Sequence, residues 1–311
     1  MTQDEFNTML RAALSDGLPS GYYTSQYNGE EIDKSIAKTS QLTGRNLLDN
    51  WYFADPINQR GQTEYSLAYS YGLDRWIQNG ITVTNTGDVI AISGSIGDDK
   101  IYQLLEDTSL ASKTLAVSVL YGGVLTTLTG VPNTSPSKLG SNCALYLGLV
   151  GGRPYCQFSP TTTGQIVAIK LELGTQQTLA RKAADGTWAL IDPPPNKAEE
   201  LAKCQRYFYR RKGTAPYSNY GNGYINSANG AFIFVNVPEM RVAPTVTASG
   251  NFRLSTPGTA ISVTSISSGG ASTNGLNRIS VSATSSLTSN TPVMLQANND
   301  ASTYIDFSAD L

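Results

Sequence analysis

The 311-residue sequence contains no histidine. That absence removes every Ser-His or Cys-His nucleophile, every histidine general base and every histidine-ligated zinc. Charge is scarce: Asp, Glu, Lys and Arg make up 15% of the chain, where about 25% is usual in a soluble domain. With 22 basic against 24 acidic residues, the net charge is −2. No basic excess exists to neutralise phosphates, so nucleic acid is not expected as a main ligand. Cysteine is rare and odd in number (Cys143, Cys156, Cys204), with no C-x-x-C spacing, which reads as buried free thiols. No apolar run approaches the roughly 18 residues of a membrane span. The start, Met1-Thr2-Gln3-Asp4-Glu5, is acidic where a signal peptide is basic. Synthesis in the cytoplasm, without the general secretion route, is therefore expected. Walker A, G-x-G-x-x-G, H-E-x-x-H and G-x-S-x-G patterns are missing, so no cofactor and no catalytic residue is assigned. Carboxylate pairs of the glycosidase kind cannot be selected by spacing alone.

What the chain has in quantity is glycine, 29 residues, together with serine and threonine throughout. This is the composition of a turn-rich β protein. At roughly 150 residues per domain the length suits about two domains.

Residues 1–44 differ from the rest. Thr2-Gln3-Asp4-Glu5 fits a capping box. Phe6, Met9, Leu10 and Ala13 follow at helical spacing, and Gly17 and Pro19 end the pattern. Asn28 can cap a second short helix with Ile32 and Ile36 on one side. Such helices are marginal alone. Phe6, Met9, Leu10, Ile32 and Ile36 are thus candidates for attachment or oligomerisation, whether against the chain's own body, identical chains or a larger assembly.

From Asn46 the period becomes two. Ile81-Thr82-Val83-Thr84, Val89-Ile90-Ala91-Ile92, residues 115–120 and residues 166–173 read as strands of a jelly-roll-like β-sandwich spanning 45–192. A Pro-rich hinge and short helix are expected over 193–212, with Asn196 as the cap. Residues 213–311 read as a second β-sandwich domain, with an exposed Gly/Ser loop near 265–277. The predicted fold class is therefore mainly β with a short helical N-terminus.

Four sets of residues carry chemical interest. Trp51 and Trp76 border apolar runs and read as core aromatics. Arg60 and Arg75 offer guanidinium forks for buried carbonyls or carboxylates, with Asp74 the nearest partner in sequence for either. Asp88, Asp98 and Asp99 are loop carboxylates that fit solvated turns better than a calcium site; no metal is assigned. Tyr217-Ser218-Asn219-Tyr220-Gly221-Asn222-Gly223-Tyr224 reads as a loop. Its rings can stack on sugars while Asn219 and Asn222 serve hydroxyls. Tyr217, Asn219, Tyr220, Asn222 and Tyr224 are therefore candidate glycan-binding residues, a contact between subunits or within a hairpin being the alternative.

Three long strings resemble one family. The first is Asn46-Leu47-Leu48-Asp49-Asn50-Trp51-Tyr52-Phe53 with Asn58-Gln59-Arg60-Gly61 and Leu73-Asp74-Arg75-Trp76. The second is Lys170-Leu171-Glu172-Leu173-Gly174-Thr175 with Glu199-Glu200-Leu201-Ala202-Lys203-Cys204-Gln205-Arg206-Tyr207-Phe208-Tyr209. The third is Pro238-Glu239-Met240-Arg241-Val242-Ala243-Pro244-Thr245-Val246, closing with Ile305-Asp306-Phe307-Ser308-Ala309-Asp310-Leu311. In this order, and with the segment from Gly21 to Asp33, they resemble tail-fibre and head-fibre appendage proteins of tailed bacteriophages. The resemblance covers about residues 21–311, but residues 181–195 depart from the family pattern. It implies a virion protein, a homotrimer with a carbohydrate-binding-module-like sandwich, attached to other virion proteins and binding host-surface or mucus carbohydrate. A glycan-degrading tail enzyme and a bacterial carbohydrate-binding or adhesion protein are the rival classes.

Overall fold

A computed structural model describes residues 44–311, apart from 67, 86, 88–89, 94–98 and 285–286, together with Thr2, Asp4, Glu5 and Thr8. Contacts divide the chain into Met1–Thr43 and Gly44–Leu311. In the first unit Thr2 and Glu5 form the expected capping box. The Glu5 amide donates to the Thr2 hydroxyl at 3.2 Å, and the Thr2 amide donates to the Glu5 carboxylate at 2.7 Å. Phe6, Met9, Leu10, Ile32 and Ile36 lie outside the described residues.

The second unit is mainly β and has two cores. The first lies between two six-stranded antiparallel sheets. One sheet runs β1 (Glu64–Ser66), β4 (Thr82–Asn85), β5 (Ile90–Ser93), β12 (Gly164–Leu173), β7 (Leu115–Tyr121), β8 (Val124–Gly130). The other runs β2 (Ser70–Tyr71), β3 (Ile77–Asn79), β6 (Lys100–Leu104), β11 (Arg153–Pro160), β10 (Cys143–Val150), β9 (Ser137–Leu139). Alternation supplies the shared core: Ile90 and Ile92 from one sheet meet Cys156 and Phe158 from the other in a single cluster. Trp51 and Trp76 are buried in it, as expected. All three cysteines are buried and unpaired, and burial pushes their thiols up, away from a reactive thiolate.

Residues 180–190 form a hairpin of β13 (Ala180–Lys182) and β14 (Trp188–Leu190). The buried Lys170 of β12 then grips Thr178 at 2.7 Å and pairs with Asp192. Glu172 accepts from the Thr178 amide and hydroxyl, both at 2.6 Å. The stretch expected as a hinge is therefore fastened at its start. Asn196 caps α1 (Lys197–Gln205) as the sequence indicated, accepting from the Ala198 amide at 2.9 Å.

Beyond α1 the expectation of a second sandwich is corrected. A three-stranded sheet of β15 (Phe208–Lys212), β23 (Tyr304–Ser308) and β18 (Thr245–Ser249) adjoins a closed six-stranded barrel. The barrel order is β16 (Asn219–Ser227), β17 (Gly230–Asn236), β21 (Leu276–Ala283), β20 (Thr259–Gly270), β19 (Phe252–Thr256), β22 (Pro292–Ala297). β22 pairs with both β19 and β16, which removes the edges a sandwich would expose. Of the Gly/Ser-rich stretch expected as a loop, residues 265–270 are the end of the long β20, and residues 271–275 connect it to β21. Its Gly269 carbonyl accepts from Arg278 at 2.8 Å across the β20–β21 pair.

Residues from all three of the long strings meet at one polar seam between the sandwich and the three-stranded sheet. Arg60 pairs with Asp310 at 2.9 Å, lies 3.7 Å from Asp74 and stacks on Phe208. Arg75 stacks on Tyr207 at 3.4 Å and bonds the Leu104 carbonyl; its carboxylate partner is Asp49 at 3.1 Å, not Asp74. Gln59 holds Asp74 through its amide at 2.6 Å and its side chain at 3.0 Å, and reaches the Phe208 carbonyl at 2.7 Å. Arg210 forms a fork to Asp306, both contacts at 2.7 Å, and donates to the Arg60 carbonyl.

This seam predicts a pH dependence. Burial raises the Asp74 carboxyl from 3.8 to about 6, although Arg60 and Gln59 oppose it. Burial raises Asp310 too. A carboxyl whose folded value is raised binds protons more tightly folded than unfolded. Its stabilising contribution is therefore full below about 3.8 and is lost as pH rises through about 6. Between about pH 4 and pH 7.5, Asp74→Asn should gain on the wild type by on the order of 2 kcal/mol. Denaturant unfolding of both proteins across that range checks this; a flat difference would contradict it.

Candidate functional site

The Tyr- and Asn-rich stretch expected as a loop is mostly strand β16. Its glycines do not loosen it. They permit close backbone approach, since a Cβ on Gly221 or Gly223 would overlap the Phe234 or Phe232 carbonyl oxygen. Asn222 lies between Phe234 of β17 and Met294 of β22, and Tyr224 lies between Phe232 and Pro292. Ile225, Ile233 and Val235 point into the barrel, which turns Tyr224, Phe232 and Phe234 outward.

The candidate set therefore splits. Tyr220 is corrected to a core residue: its ring is 1% exposed, and its hydroxyl donates to the buried Thr303 carbonyl at 2.7 Å. The cause is a register shift between Asn219 and Gly221, which reverses the in-out order of the strand. Tyr217, Asn219, Asn222 and Tyr224 are exposed, the two rings by 50% and 40%.

Four residues join this surface that the sequence reading did not select: Arg211, Phe232, Phe234 and Asn236. Phe232 and Phe234 had a readable signal. In Phe232-Ile233-Phe234-Val235, aliphatic residues alternate with rings, so one set must face solvent. Arg211 and Asn236 had none, since their place follows from the tertiary fold. Tyr224 lies edge-on to Phe232 at 5.9 Å and tilted to Phe234 at 6.5 Å. The Arg278 guanidinium covers Phe232 at 4.4 Å, and Arg253 covers Tyr217 at 4.4 Å.

Beside these rings lies an open cleft of about 450 Å³, walled by Arg211, Asn219, Gly221, Asn222, Phe234, Asn236 and Leu276, together with the buried Tyr220. Asn219 accepts from the Gly221 amide at 3.1 Å, which orients its amide toward Asn222 at 3.4 Å. Rings beside amide donors and acceptors suit a ligand with apolar faces and many hydroxyls. No carboxylate or thiol lines this cleft.

A second cleft of about 460 Å³ opens at the seam, beside Arg60, Arg210, Lys212, Ser302 and Tyr304. There both arginines are engaged by Asp310 and Asp306. Asp88 and Asp98 lie outside the described residues, and among those described no group of three or more acids and cysteines is placed to hold a metal. Among the described residues no helix is long and apolar enough to cross a membrane.

No protein family, curated protein or solved structure matches the chain.

Proposed function

We propose that this chain is a non-enzymatic virion appendage protein that binds host-surface or mucus glycan on the outer face of its barrel. The observation that carries the binding role is the exposure of Phe234 among the Asn219, Asn222 and Asn236 amides of one cleft, with the exposed Tyr224 ring beside Phe234 at 6.5 Å. The barrel has its own core, so apolar rings left on its outer wall are available to a partner. The appendage role rests on the fibre-like strings and on the compositional break at residues 1–44. In this reading the jelly-roll-like sandwich carries the barrel, residues 1–44 attach to other virion proteins, and three chains assemble. Three weak sites then act together through effective concentration.

The test uses the full chain on host cells and on polysaccharide extracted from them. Tyr224→Ala combined with Phe234→Ala should weaken retention about tenfold or more, equivalent to about 1.4 kcal/mol. Thermal unfolding should barely move, because both substitutions lie on the surface. Unchanged retention would overturn the site. Release of reducing ends would move the reading to a glycan-degrading enzyme. Light scattering at the monomer mass of 33.2 kDa would overturn the trimer.

A further inference from the structure

Charge is distributed unevenly around the cleft. Across residues 213–299, Glu239 is the single acid and there is no lysine, while Arg241, Arg253 and Arg278 are basic. None of the six barrel strands contains Asp or Glu, although the whole chain carries a net charge of −2. The cleft itself repeats the pattern: Arg211 is its one charged wall residue. Its guanidinium reaches the Asn236 carbonyl at 3.4 Å, a long contact that occupies one of five N–H groups.

The flanks add to this. Arg278, on β21, stands across from Phe234 in register, and Arg253, on β19, stands across from Gln296, which in turn faces Asn219. Arg253 donates to the Gln296 side chain at 2.9 Å and 3.2 Å, and Arg278 donates to the Gly269 carbonyl. Both are thus anchored by neutral acceptors rather than by carboxylates. Contrast the seam, where Arg60, Arg75 and Arg210 each face a carboxylate.

We propose that the barrel cleft selects a glycan bearing carboxylate groups, with Arg211 as the group that pairs with the sugar acid. This rests on the glycan-binding reading and narrows it to a substrate class. A guanidinium fork matches a carboxylate in a plane, with two parallel hydrogen bonds. The rings and amides serve the neutral part of the sugar, and the acid-free wall removes the repulsion an anionic polymer would otherwise meet. A cationic or amino sugar finds no counter-charge in the cleft.

The probes are polygalacturonate, hyaluronate and alginate, each beside its carboxyl-reduced, neutral counterpart, with the 311-residue chain. The proposal expects at least one acidic polymer to bind about tenfold more tightly than its reduced form, with a preference that shrinks as salt rises. Arg211→Gln should abolish that preference without shifting thermal unfolding, and Arg211→Lys should keep part of it. Equal binding of acidic and reduced polymers would overturn acid selection while leaving glycan binding in place. Binding to none of the six, together with unchanged host-cell retention in the Tyr224→Ala, Phe234→Ala protein, would overturn both readings. A preference that persists in Arg211→Gln would overturn the assignment to Arg211.

Discussion

Tyr220→Ala should cost about 3–5 kcal/mol of folding stability, the range for deleting a buried aromatic ring. The ring belongs to the barrel core and meets Phe252 edge-on at 5.1 Å. Its removal leaves a cavity and also strips the Thr303 carbonyl of a donor at 2.7 Å. Thr303 is fully buried, so solvent does not replace that donor. Tyr220→Phe keeps the ring and loses the hydroxyl, for which about 1–2 kcal/mol is expected. Denaturant unfolding of the two variants separates cavity from hydrogen bond. An alanine variant within about 1 kcal/mol of the wild type would place the ring outside the core. Glycan binding should fall in Tyr220→Ala in proportion to the unfolded fraction, which distinguishes it from Tyr224→Ala.

Tyr220 and Tyr224 show where sequence reasoning reached its limit. They lie four residues apart in one polar, glycine-rich string, and nothing in that string says that one is core and the other surface. The decision is made by a register shift against β22, some 75 residues further along. Period-two alternation was legible wherever aliphatic residues marked the buried face, as in β5 and β17. It failed where serine, threonine and glycine fill the strand: β20 buries none of its twelve residues fully, so no hydrophobic period marks it as a strand. The caps at Thr2 and Asn196 were legible because they are local. The seam was not. Arg60 finds Asp310 250 residues away, and Arg75 finds Asp49 rather than its neighbour Asp74. The fibre-like strings singled out most of these residues without revealing that they meet in space.

At the centre of that meeting place sits Asn50, and Asn50→Ala should be among the most damaging single changes in the seam. The side-chain amide donates to the carbonyls of Ile57 at 2.9 Å and Asp74 at 2.8 Å, while its oxygen accepts from the Ile57 amide at 2.7 Å. All three bonds are buried, so each orphaned group loses water as well as its partner. Asn50 also has φ of 53°, in the left-handed region that asparagine tolerates better than alanine. Its backbone is committed there: the amide donates to Glu200 of α1 at 2.8 Å, and the carbonyl accepts from the Trp76 indole at 2.9 Å. Relaxing φ would disturb both, and with them the tie between α1 and the sandwich. Lost hydrogen bonds and strain together come to on the order of 4 kcal/mol. Asn50→Gly removes the same three bonds but relieves the strain, so it should be about 1 kcal/mol less damaging than Asn50→Ala. Asn50→Asp keeps the shape and the acceptor, loses both donors and adds a second carboxylate beside Glu200, so it should be at least as harmful as alanine at neutral pH and recover in acid. Chemical denaturation of the three variants at about pH 5 and pH 7.5 tests the ordering. If alanine and glycine prove equal, the left-handed backbone carries no strain; if aspartate matches the wild type, the two donated bonds do not hold the seam.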